Sequence, residues 1–356
     1  MRKEAIFLSA ILVIFITADN PGPLAGKSEI SAKADGNDSL LIGIAGDVML
    51  GRLVNEKMSM TDYTYPWGET IGLLRKTDIN IINLETTLTT STKKVPKVFN
   101  FKAGPDKVQS LIEAKIDVCN LANNHILDFS EEGLIETILT LDKAGIKHVG
   151  AGVNRQKAVE PAVIKKKNIT VGIIGFTDNE PGWEAKENKA GTNYVRVGDI
   201  GKVEKQIKKL RDEVDILVFT IHWGPNMRRR PTKEFRNFAR KVVDAGVDIF
   251  HGHSAHIFQG IEIYKKKLIL YDTGDFVDDY YVDPSLRNDL SLLYLIEVDK
   301  DGLEKVELVP VLISRMQVNK ATGGNYRRIV LRIRNLSKEF GTTIRETRQG
   351  IFVSLE

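Results

Sequence analysis

Short apolar runs alternate with amphipathic segments between residues 40 and 250, and this alternation limits the possible folds more than any other feature of the chain. Alternating strands and helices predict a largely parallel sheet with helices packed on its faces. After Gly260 the pattern changes to pairs of strands and one last helix. No internal repeat or linker divides residues 40–356, so we expect a single α/β domain there, with a strand-rich C-terminal part.

The boundaries of the predicted elements follow the hydrophobic period and the turn residues. Strands are predicted at 40–45, 78–82, 116–121, 159–166, 169–176, 216–221, 247–250, 261–264, 268–271, 290–298 and 306–313. Helices are predicted at 69–76, 102–115, 130–143, 203–213, 232–245 and 326–340. Ser130 is expected to cap its helix and Gly145 to end it. Lys167 and Asn168 are expected to form the turn of a hairpin.

The N-terminus has the features of an export signal. Arg2 and Lys3 precede a mostly apolar run at 5–18, which is shorter than a membrane-spanning helix of roughly 20 residues but suits the core of a signal peptide. A buried core helix is the alternative, and the polar linker at 26–39 argues against it. We therefore expect residues 1–39 to be a cleaved signal peptide, or a membrane anchor, plus a linker. The domain would then be extracytoplasmic, either secreted or anchored.

Five polar clusters directly follow apolar runs, and together they predict a metal site. The clusters are Gly46-Asp47, Asn83-Leu84-Glu85, Asn123-Asn124-His125, His222-Trp223-Gly224 and residues 251–256. Ligands of open α/β sheets bind beyond the carboxyl ends of strands, where every cluster falls. Carboxylates and imidazoles together suit zinc, manganese or iron. Each cluster alone has a plainer interpretation: a turn aspartate, a surface glutamate, hydrogen-bonded amides, or packed or solvated histidines.

These clusters also resemble the motifs of a known family. The matching segments are Gly46-Asp47-Val48-Met49-Leu50-Gly51-Arg52, Asn83-Leu84-Glu85, Leu121-Ala122-Asn123-Asn124-His125 with Asp128, Gly150-Ala151-Gly152, His222-Trp223-Gly224 and Gly252-His253-Ser254-Ala255-His256. In order and spacing, they resemble the CapA family of poly-γ-glutamate capsule biosynthesis proteins, within the calcineurin-like metallophosphoesterase superfamily. The resemblance covers residues 41–277. It implies a metallophosphoesterase-like α/β/β/α sandwich.

The resemblance implies a role for most of the matched polar residues. It implies one or two divalent ions, of manganese, iron or zinc, with these ligands: Asp47, Glu85, Asn124, His222, His253 and His256. His125 would be the general acid that protonates the leaving atom, and Asp128 would orient its imidazole. His251 precedes the matched pattern and receives no role.

The chain departs from the family pattern in ways that bear on the metal site. Met49 stands where the superfamily usually has a histidine ligand, so one metal position is expected to be weak or empty. Ser254 and Ala255 replace a usual His-Pro pair, and Asn226 replaces a usual acidic residue. A later acidic cluster either adds a ligand or forms a solvated turn. Its members are Asp272, Asp275, Asp278 and Asp279.

The expected substrate is an anionic polymer or a phosphoester. Arg52, Asn123 and Arg228 are the candidates for contacting it, since guanidinium groups bind phosphate and carboxylate bidentately. A solvated helix entry is the plainer interpretation of the arginines at 228–230. The net charge of +4 gives no reason to expect nucleic acid.

Two functions follow from the resemblance. The favoured one is metal-dependent hydrolysis of a phosphoester or a γ-glutamyl amide, through a metal-activated water, in poly-γ-glutamate or related capsule polymer metabolism. The alternative is a non-enzymatic component that binds an anion or a metal within a membrane complex for polymer synthesis or export. The absence of a histidine at Met49 keeps this alternative open.

Overall fold

The computed structural model describes residues 39–356. The predicted export segment lies outside this part of the chain, apart from Ser39, and stays a prediction. Within residues 39–356, no helix has both the length and the apolar composition that crossing a bilayer requires.

The strands of the described region, in chain order, are β1 Leu40–Val48, β2 Ile79–Leu84, β3 Thr87–Leu88, β4 Lys102–Ala103, β5 Val118–Asn120, β6 Lys147–Val149, β7 Ala151–Gly152, β8 Ala162–Lys166, β9 Ile169–Thr177, β10 Gly191–Thr192, β11 Ile216–His222, β12 Ile249–His253, β13 Ile261–Tyr264, β14 Lys267–Leu270, β15 Asp275–Val277, β16 Leu290–Val298, β17 Leu303–Ser314, β18 Gln317–Lys320, β19 Ile344–Thr347 and β20 Gly350–Val353. The α-helices of the same region are α1 Arg52–Met60, α2 Ile71–Leu74, α3 Val108–Glu113, α4 Ser130–Lys143, α5 Arg155–Ala158, α6 Gly201–Leu210, α7 Lys233–Asp244 and α8 Gly323–Lys338. Single 3-10 turns lie at Tyr65–Thr70, Pro105–Lys107, Pro181–Trp183 and Arg211–Glu213.

Two large sheets carry the fold of the described residues. The first has the strand order β19-β20-β17-β16-β1-β2-β5-β6, with β15 paired to β1 and β18 paired to β17. The second has the order β13-β14-β12-β11-β9-β8. The strands β1, β2, β5 and β6 are mutually parallel, and so are β9, β11, β12 and β14. The carboxyl ends of each parallel set therefore meet at one edge of its sheet.

The two sheets pack face to face over a shared apolar core. Ile42 and Ile44 of β1 lie in one cluster of buried side chains with Ile173 of β9 and Val218 of β11. The outer face of the first sheet is covered by helices that include α1 and α4, and the outer face of the second is covered by α6 and α7. This arrangement is an α/β/β/α sandwich, so the predicted fold class is confirmed.

Most predicted strands and helices are present with small shifts at their ends, but two local predictions were wrong. The segment predicted as a helix at 102–115 begins with strand β4 and a 3-10 turn, and its α-helix is only Val108–Glu113. Helix α4 has the predicted bounds, but Ser130 does not cap it; this residue has φ +63° and its hydroxyl donates to the carbonyl of Lys93. The predicted hairpin turn is confirmed, with φ +48° at Lys167 and +64° at Asn168. The terminal hairpin of β19 and β20 was not predicted from the sequence.

Two glycines let backbones approach closely at the ends of β1 and β12. A Cβ added at Gly46 would lie 1.8 Å from the carbonyl oxygen of Gly274, and one at Gly252 would lie 2.2 Å from a neighbouring carbonyl oxygen. The following residues are Asp47 and His253 respectively. The absence of a side chain at these glycines therefore allows the packing that holds two polar residues in place.

Replacing Gly46 by alanine tests this close approach. We expect Gly46→Ala to destabilise the fold by about 1–3 kcal/mol or more, because the new methyl group has no space beside the backbone of Gly274. Thermal unfolding of the full chain measures the effect. Gly72→Ala is the matched control, since a Cβ there meets nothing within 4 Å. Equal melting temperatures for the two variants would contradict the packing described.

Candidate metal centre

Asp47 lies at the carboxyl end of β1, between the parallel strands β2 and β15. Its register partners are Asn83 on β2 and Asp275 on β15. The Asn83 amide donates to Oδ1 of Asp47 over 2.7 Å, and the backbone N–H of Ser254 donates to Oδ2 over 3.1 Å. Asp47 is only 1% exposed. Strand register thus fixes a buried carboxylate and its closest neighbours.

Two histidines reach Asp47 from the second sheet. His222 ends β11 and His253 ends β12, and the two are register partners in adjacent parallel strands. Their Nδ1 atoms lie 3.6 and 3.3 Å, respectively, from Oδ1 of Asp47. One donor atom from each of these three residues lies within 4.8 Å of the others, which is close enough for all three to bind one cation. We call this set the first ligand group.

A second ligand group shares Asp47 with the first. Glu85, His256 and Asp275 join Asp47, again with one donor atom from each residue within 4.8 Å of the others. Nδ1 of His256 lies 2.8 Å from Oδ1 of Asp275 and 3.5 Å from Oδ2 of Asp47. The closest histidine contacts of Asp47 are thus on Oδ1 in the first group and on Oδ2 in the second. A carboxylate shared in this way suits a pair of ions about 3.5–4 Å apart.

Several donor atoms of the two groups are buried and have no hydrogen-bond partner among the described residues. They are both carboxylate oxygens of Glu85, Nε2 of His222 and Oδ2 of Asp275. A buried polar atom without a partner costs about 1–3 kcal/mol, and a charged one costs more. Carboxylate and imidazole donors are the ligands of manganese, iron and zinc. The residues present therefore fit one or two divalent ions.

Burial and neighbouring charges shift the pKa values of the cluster in different directions. Burial lowers the pKa of His222 to about 4, although Asp47 opposes this shift. Burial raises the pKa of Glu85 well above its usual range, and the charge of Asp47 adds to the effect. Burial also lowers the pKa of His256, but the carboxylates of Asp275 and Glu85 outweigh it and raise that pKa well above its usual range. Cation binding to such a site would displace protons.

The loop after β12 is strained where it presents His256. Ser254 has φ +119° and His256 has φ +60°, and such conformations cost non-glycine residues about 1–3 kcal/mol each. The neighbouring Ala255 donates its N–H to Asp272 over 2.9 Å, which holds the loop. In this strained conformation the loop holds the His256 imidazole next to the Asp47 carboxylate.

The aspartates of the predicted acidic cluster have different contacts. Asp275 belongs to the second ligand group, whereas Asp272 holds the loop of His256 and Asp279 pairs with an arginine. Met49 is 1% exposed and packs in the apolar core under the helices. It therefore offers no ligand, and Asp275 supplies a donor beside Asp47 from the neighbouring strand.

His125 and Asp128 form a pair beside the ligand groups. Nδ1 of His125 lies 2.6 Å from Oδ2 of Asp128, and the ring of Phe101 stacks on the imidazole with 3.8 Å between ring centres. Lys97 pairs with the other oxygen of Asp128 over 2.9 Å. Nε2 of His125 lies 3.7 Å from a carboxylate oxygen of Glu85. The contact predicted between Asp128 and His125 is thus present, and it leaves Nε2 near the ligand groups.

An open cleft lies beside this pair. It has a volume of about 790 Å³, and its lining includes Lys97, Phe99, Asn124 and His125. The side-chain oxygen of Asn124 is buried and accepts no hydrogen bond within the described part of the chain. This oxygen is free to act as the neutral ligand predicted at Asn124.

The predicted substrate contacts differ in their surroundings. Asn123 is fully buried; its side-chain oxygen accepts the N–H of His125 over 3.0 Å, and its amide donates to a carbonyl of β2. These bonds hold the loop in place. They use both polar groups of the Asn123 side chain, so they do not support the predicted contact of Asn123 with substrate. The guanidinium of Arg52 is 3.2 Å from Asp279. Arg228 is exposed.

His251 belongs to neither ligand group among the described residues. Its ring nitrogens lie 3.2 and 3.1 Å from the hydroxyls of Thr220 and Thr273, and burial lowers its pKa well below the usual range. These contacts are those of a buried structural histidine, which is consistent with the absence of a predicted role for His251. Lys97 was not predicted as a site residue, because nothing in the sequence around it indicates a contact with Asp128.

Comparison with known proteins gives one matching family model and two similar curated proteins. The model of the family described as "Bacterial capsule synthesis protein PGA_cap" matches residues 42–280. The chain is 34% identical over 319 residues to a probable polyglutamine synthesis accessory protein of Mycobacterium tuberculosis, covering 84% of this chain and 83% of that protein. It is 32% identical over 322 residues to the capsule biosynthesis protein CapA of Bacillus anthracis, covering 88% and 76%. A solved 5′-nucleotidase precursor of Thermus thermophilus aligns with a TM-score of 0.43 and 14% identity, covering 77% and 54%.

Replacing Asp275 by asparagine tests the second ligand group. We expect Asp275→Asn to weaken the binding of one manganese ion at least about tenfold, because a charged donor is lost from that group alone. Calorimetric titration of the chelator-treated full chain measures both affinities. Asp244→Asn, at an exposed carboxylate at the end of α7, is the control and should bind as the wild type does. Unchanged manganese binding in Asp275→Asn would exclude Asp275 as a ligand.

Proposed function

Because the chain belongs to the PGA_cap family of bacterial capsule synthesis proteins, we propose that it acts outside the cytoplasm in the metabolism of poly-γ-glutamate or a related capsule polymer. We propose that it does so as a metal-dependent hydrolase of a phosphoester or a γ-glutamyl amide. Export would rest on residues 1–39, as a cleaved signal peptide or as an anchor. Residues 40–356 would form the single functional domain.

One observation supports metal dependence above all others. Two ligand groups share Asp47, and they contain buried donor atoms on Glu85, His222 and Asp275 that have no partner among the described residues. A fold that needed only a stable core would not gather unpaired buried donors, since each costs free energy. Divalent cations would compensate all of them at once.

The residues of the two groups, with Asn124, would hold one or two ions. When bound, such ions lower the pKa of water and polarise the oxygen of the bond to be cleaved. Water would then attack phosphorus or the carbonyl carbon, and the bond to the leaving oxygen or nitrogen would break. The chain's own task is to keep the donors fixed and to supply a proton to the leaving atom.

His125 would supply that proton. Asp128 accepts the Nδ1 proton over 2.6 Å, so Nε2 is left to exchange a proton with the substrate. Phe101 and Lys97 fix the pair from either side. Burial lowers the pKa of His125, against the opposing effect of Asp128, and the negative charge of a bound substrate would raise it again.

The open cleft suits an anionic substrate. Lys97 and the ring of Phe99 line it together with Asn124 and His125. The ammonium group of Lys97 lies beside the proton donor, where it pairs with Asp128. An extended chain could enter because the cleft is open to solvent.

The alternative remains a non-enzymatic component of a polymer synthesis or export complex. The M. tuberculosis relative is named as an accessory protein, which agrees with either function. The His125–Asp128 pair favours hydrolysis, because holding a metal or an anion does not require an oriented proton donor. The two functions differ in a measurable way.

Hydrolysis is tested with purified full chain, loaded with manganese, zinc or iron, on an aryl phosphoester and on a γ-glutamyl anilide. We expect one of the substrates to be cleaved, and His125→Gln to lower kcat about 10²–10⁴-fold through loss of the proton donor. The variant should retain its metal, because His125 is outside both ligand groups. His148→Gln is the matched control, since His148 lies at β6 and pairs with Asp142.

Two results would contradict this proposal. If neither substrate is cleaved with any of the three metals, while the metal is bound, the hydrolase proposal fails and the non-enzymatic one is favoured. If His125→Gln and His148→Gln have the same kcat as the wild type, then His125 is not the proton donor.

A further inference from the structure

A second cationic cavity lies outside the metal centre, with a volume of about 340 Å³. Arginines from three segments line it. Two come from the loop after β11, one from the loop after β15 and two from α8: Arg229, Arg230, Arg287, Arg328 and Arg332. We call it the arginine cavity. No acidic side chain of the described residues lines it.

Two of these arginines are neutralised by carboxylates at the margin. Arg230 makes a bidentate pair with Glu339, and Arg287 makes one with Asp289. Arg328 is exposed and makes no salt bridge among the described residues. Two positive charges at the margin are thus cancelled, and the charge of Arg328 is left for another partner.

Arg229 is also only partly compensated. Its guanidinium donates to the carbonyl of Ser285. Hydrogen bonds from Ser285 and Leu286 lower the pKa of the partly exposed Asp283, and the charge of Arg229 adds to this effect. Asp283 itself does not line the cavity. Among the described residues it forms no salt bridge with Arg229, and a partly solvated carboxylate contributes little at longer range.

Arg332 gives the clearest indication of a missing anion. One of its nitrogens donates to the carbonyl of Leu286 over 2.9 Å, and its guanidinium lies 4.6 Å from the centre of the Phe258 ring. The other nitrogen, Nη2, is buried without any hydrogen-bond partner among the described residues. Burial, with the charge of Arg229, lowers the pKa of Arg332 to about 10. A buried guanidinium nitrogen is satisfied best by an oxyanion.

Residues at the arginine cavity are close in sequence to ligands of the metal centre. Phe258, under Arg332, comes two residues after His256 of the second ligand group. The segment that carries Arg287 follows Asp275 along the chain. The surroundings of the cavity and the metal centre thus include neighbouring stretches of the chain.

We propose that the arginine cavity binds carboxylates of a γ-linked glutamate chain, as a binding subsite separate from the metal centre. The identity of this chain rests on the proposed function, whereas the cationic character of the cavity does not. A γ-linked chain presents one free carboxylate per residue, so several arginines can be engaged in sequence. Planar guanidinium groups match carboxylates through paired hydrogen bonds.

The proposal is tested by titrating the full chain into a fluorescently labelled γ-linked glutamate oligomer, in chelator and at low salt, with anisotropy as the readout. We expect Arg328→Gln and Arg332→Gln each to weaken binding about tenfold or more, through loss of a charge-assisted bond. Arg327→Gln is the matched control, because Arg327 is the exposed neighbour of Arg328 on α8 but does not line the cavity. It should change the affinity less than about twofold.

Three results would overturn the proposal. These are an absence of oligomer binding, an equal loss of affinity in Arg327→Gln and Arg328→Gln, and stronger competition by inorganic phosphate than by the unlabelled oligomer. The last would assign the cavity to phosphate. If Arg332→Gln fails to fold, Arg328→Gln still decides, since Arg328 is exposed. The chelator removes bound metal, so this test measures binding of the oligomer without hydrolysis. If the chain binds the oligomer here but cleaves neither substrate in the metal-loaded assay, the cavity is supported and the hydrolase proposal fails.

Discussion

The burial of the Asp47 carboxylate is the constraint on which the rest of the site depends. A buried carboxylate loses several kcal/mol of hydration unless charges or hydrogen bonds replace the water. Asn83 and the N–H of Ser254 replace part of it. Burial by itself would raise the pKa of Asp47, but the nearby imidazoles of His222 and His253 help to hold that pKa well below its usual range. The charge of this residue in turn raises the pKa of the carboxylates around it. The whole cluster is therefore electrostatically coupled through one side chain.

Asp47 also links the two sheets of the sandwich. It ends β1 in the first sheet, while two of its histidine partners end neighbouring strands of the second. The close approach of β1 to Gly274, just before β15, requires that Gly46 has no side chain. The unpaired metal-ligand donors at this edge lower the stability of the fold when no cation is bound. Such a loss of stability is usual at functional sites. The same argument applies to Arg332, whose buried nitrogen also has no partner among the described residues.

The local hydrophobic patterns predicted the fold well, because the spacing of apolar residues depends directly on the type of secondary structure and on which face is buried. The run before Asp47 and the hairpin turn at Lys167 were predicted correctly, since a strand and a two-residue turn are local structures. The Ser130 cap was wrong because capping depends on a backbone angle that sequence does not fix. The use of Asp275 as a donor beside Asp47 was left open, since it follows from the register of two strands distant in sequence. The unpaired nitrogen of Arg332 was not predictable, because it results from three segments meeting.

We propose that Asp47 is shared by two cation sites. An anomalous-scattering crystal structure of the full chain, soaked with manganese and collected on both sides of the metal absorption edge, tests it most directly. We expect anomalous peaks next to the Asp47 carboxylate, the first beside His222 and His253 and the second beside Glu85 and His256. Manganese-soaked crystals with no anomalous peak within coordinating distance of Asp47 would contradict it.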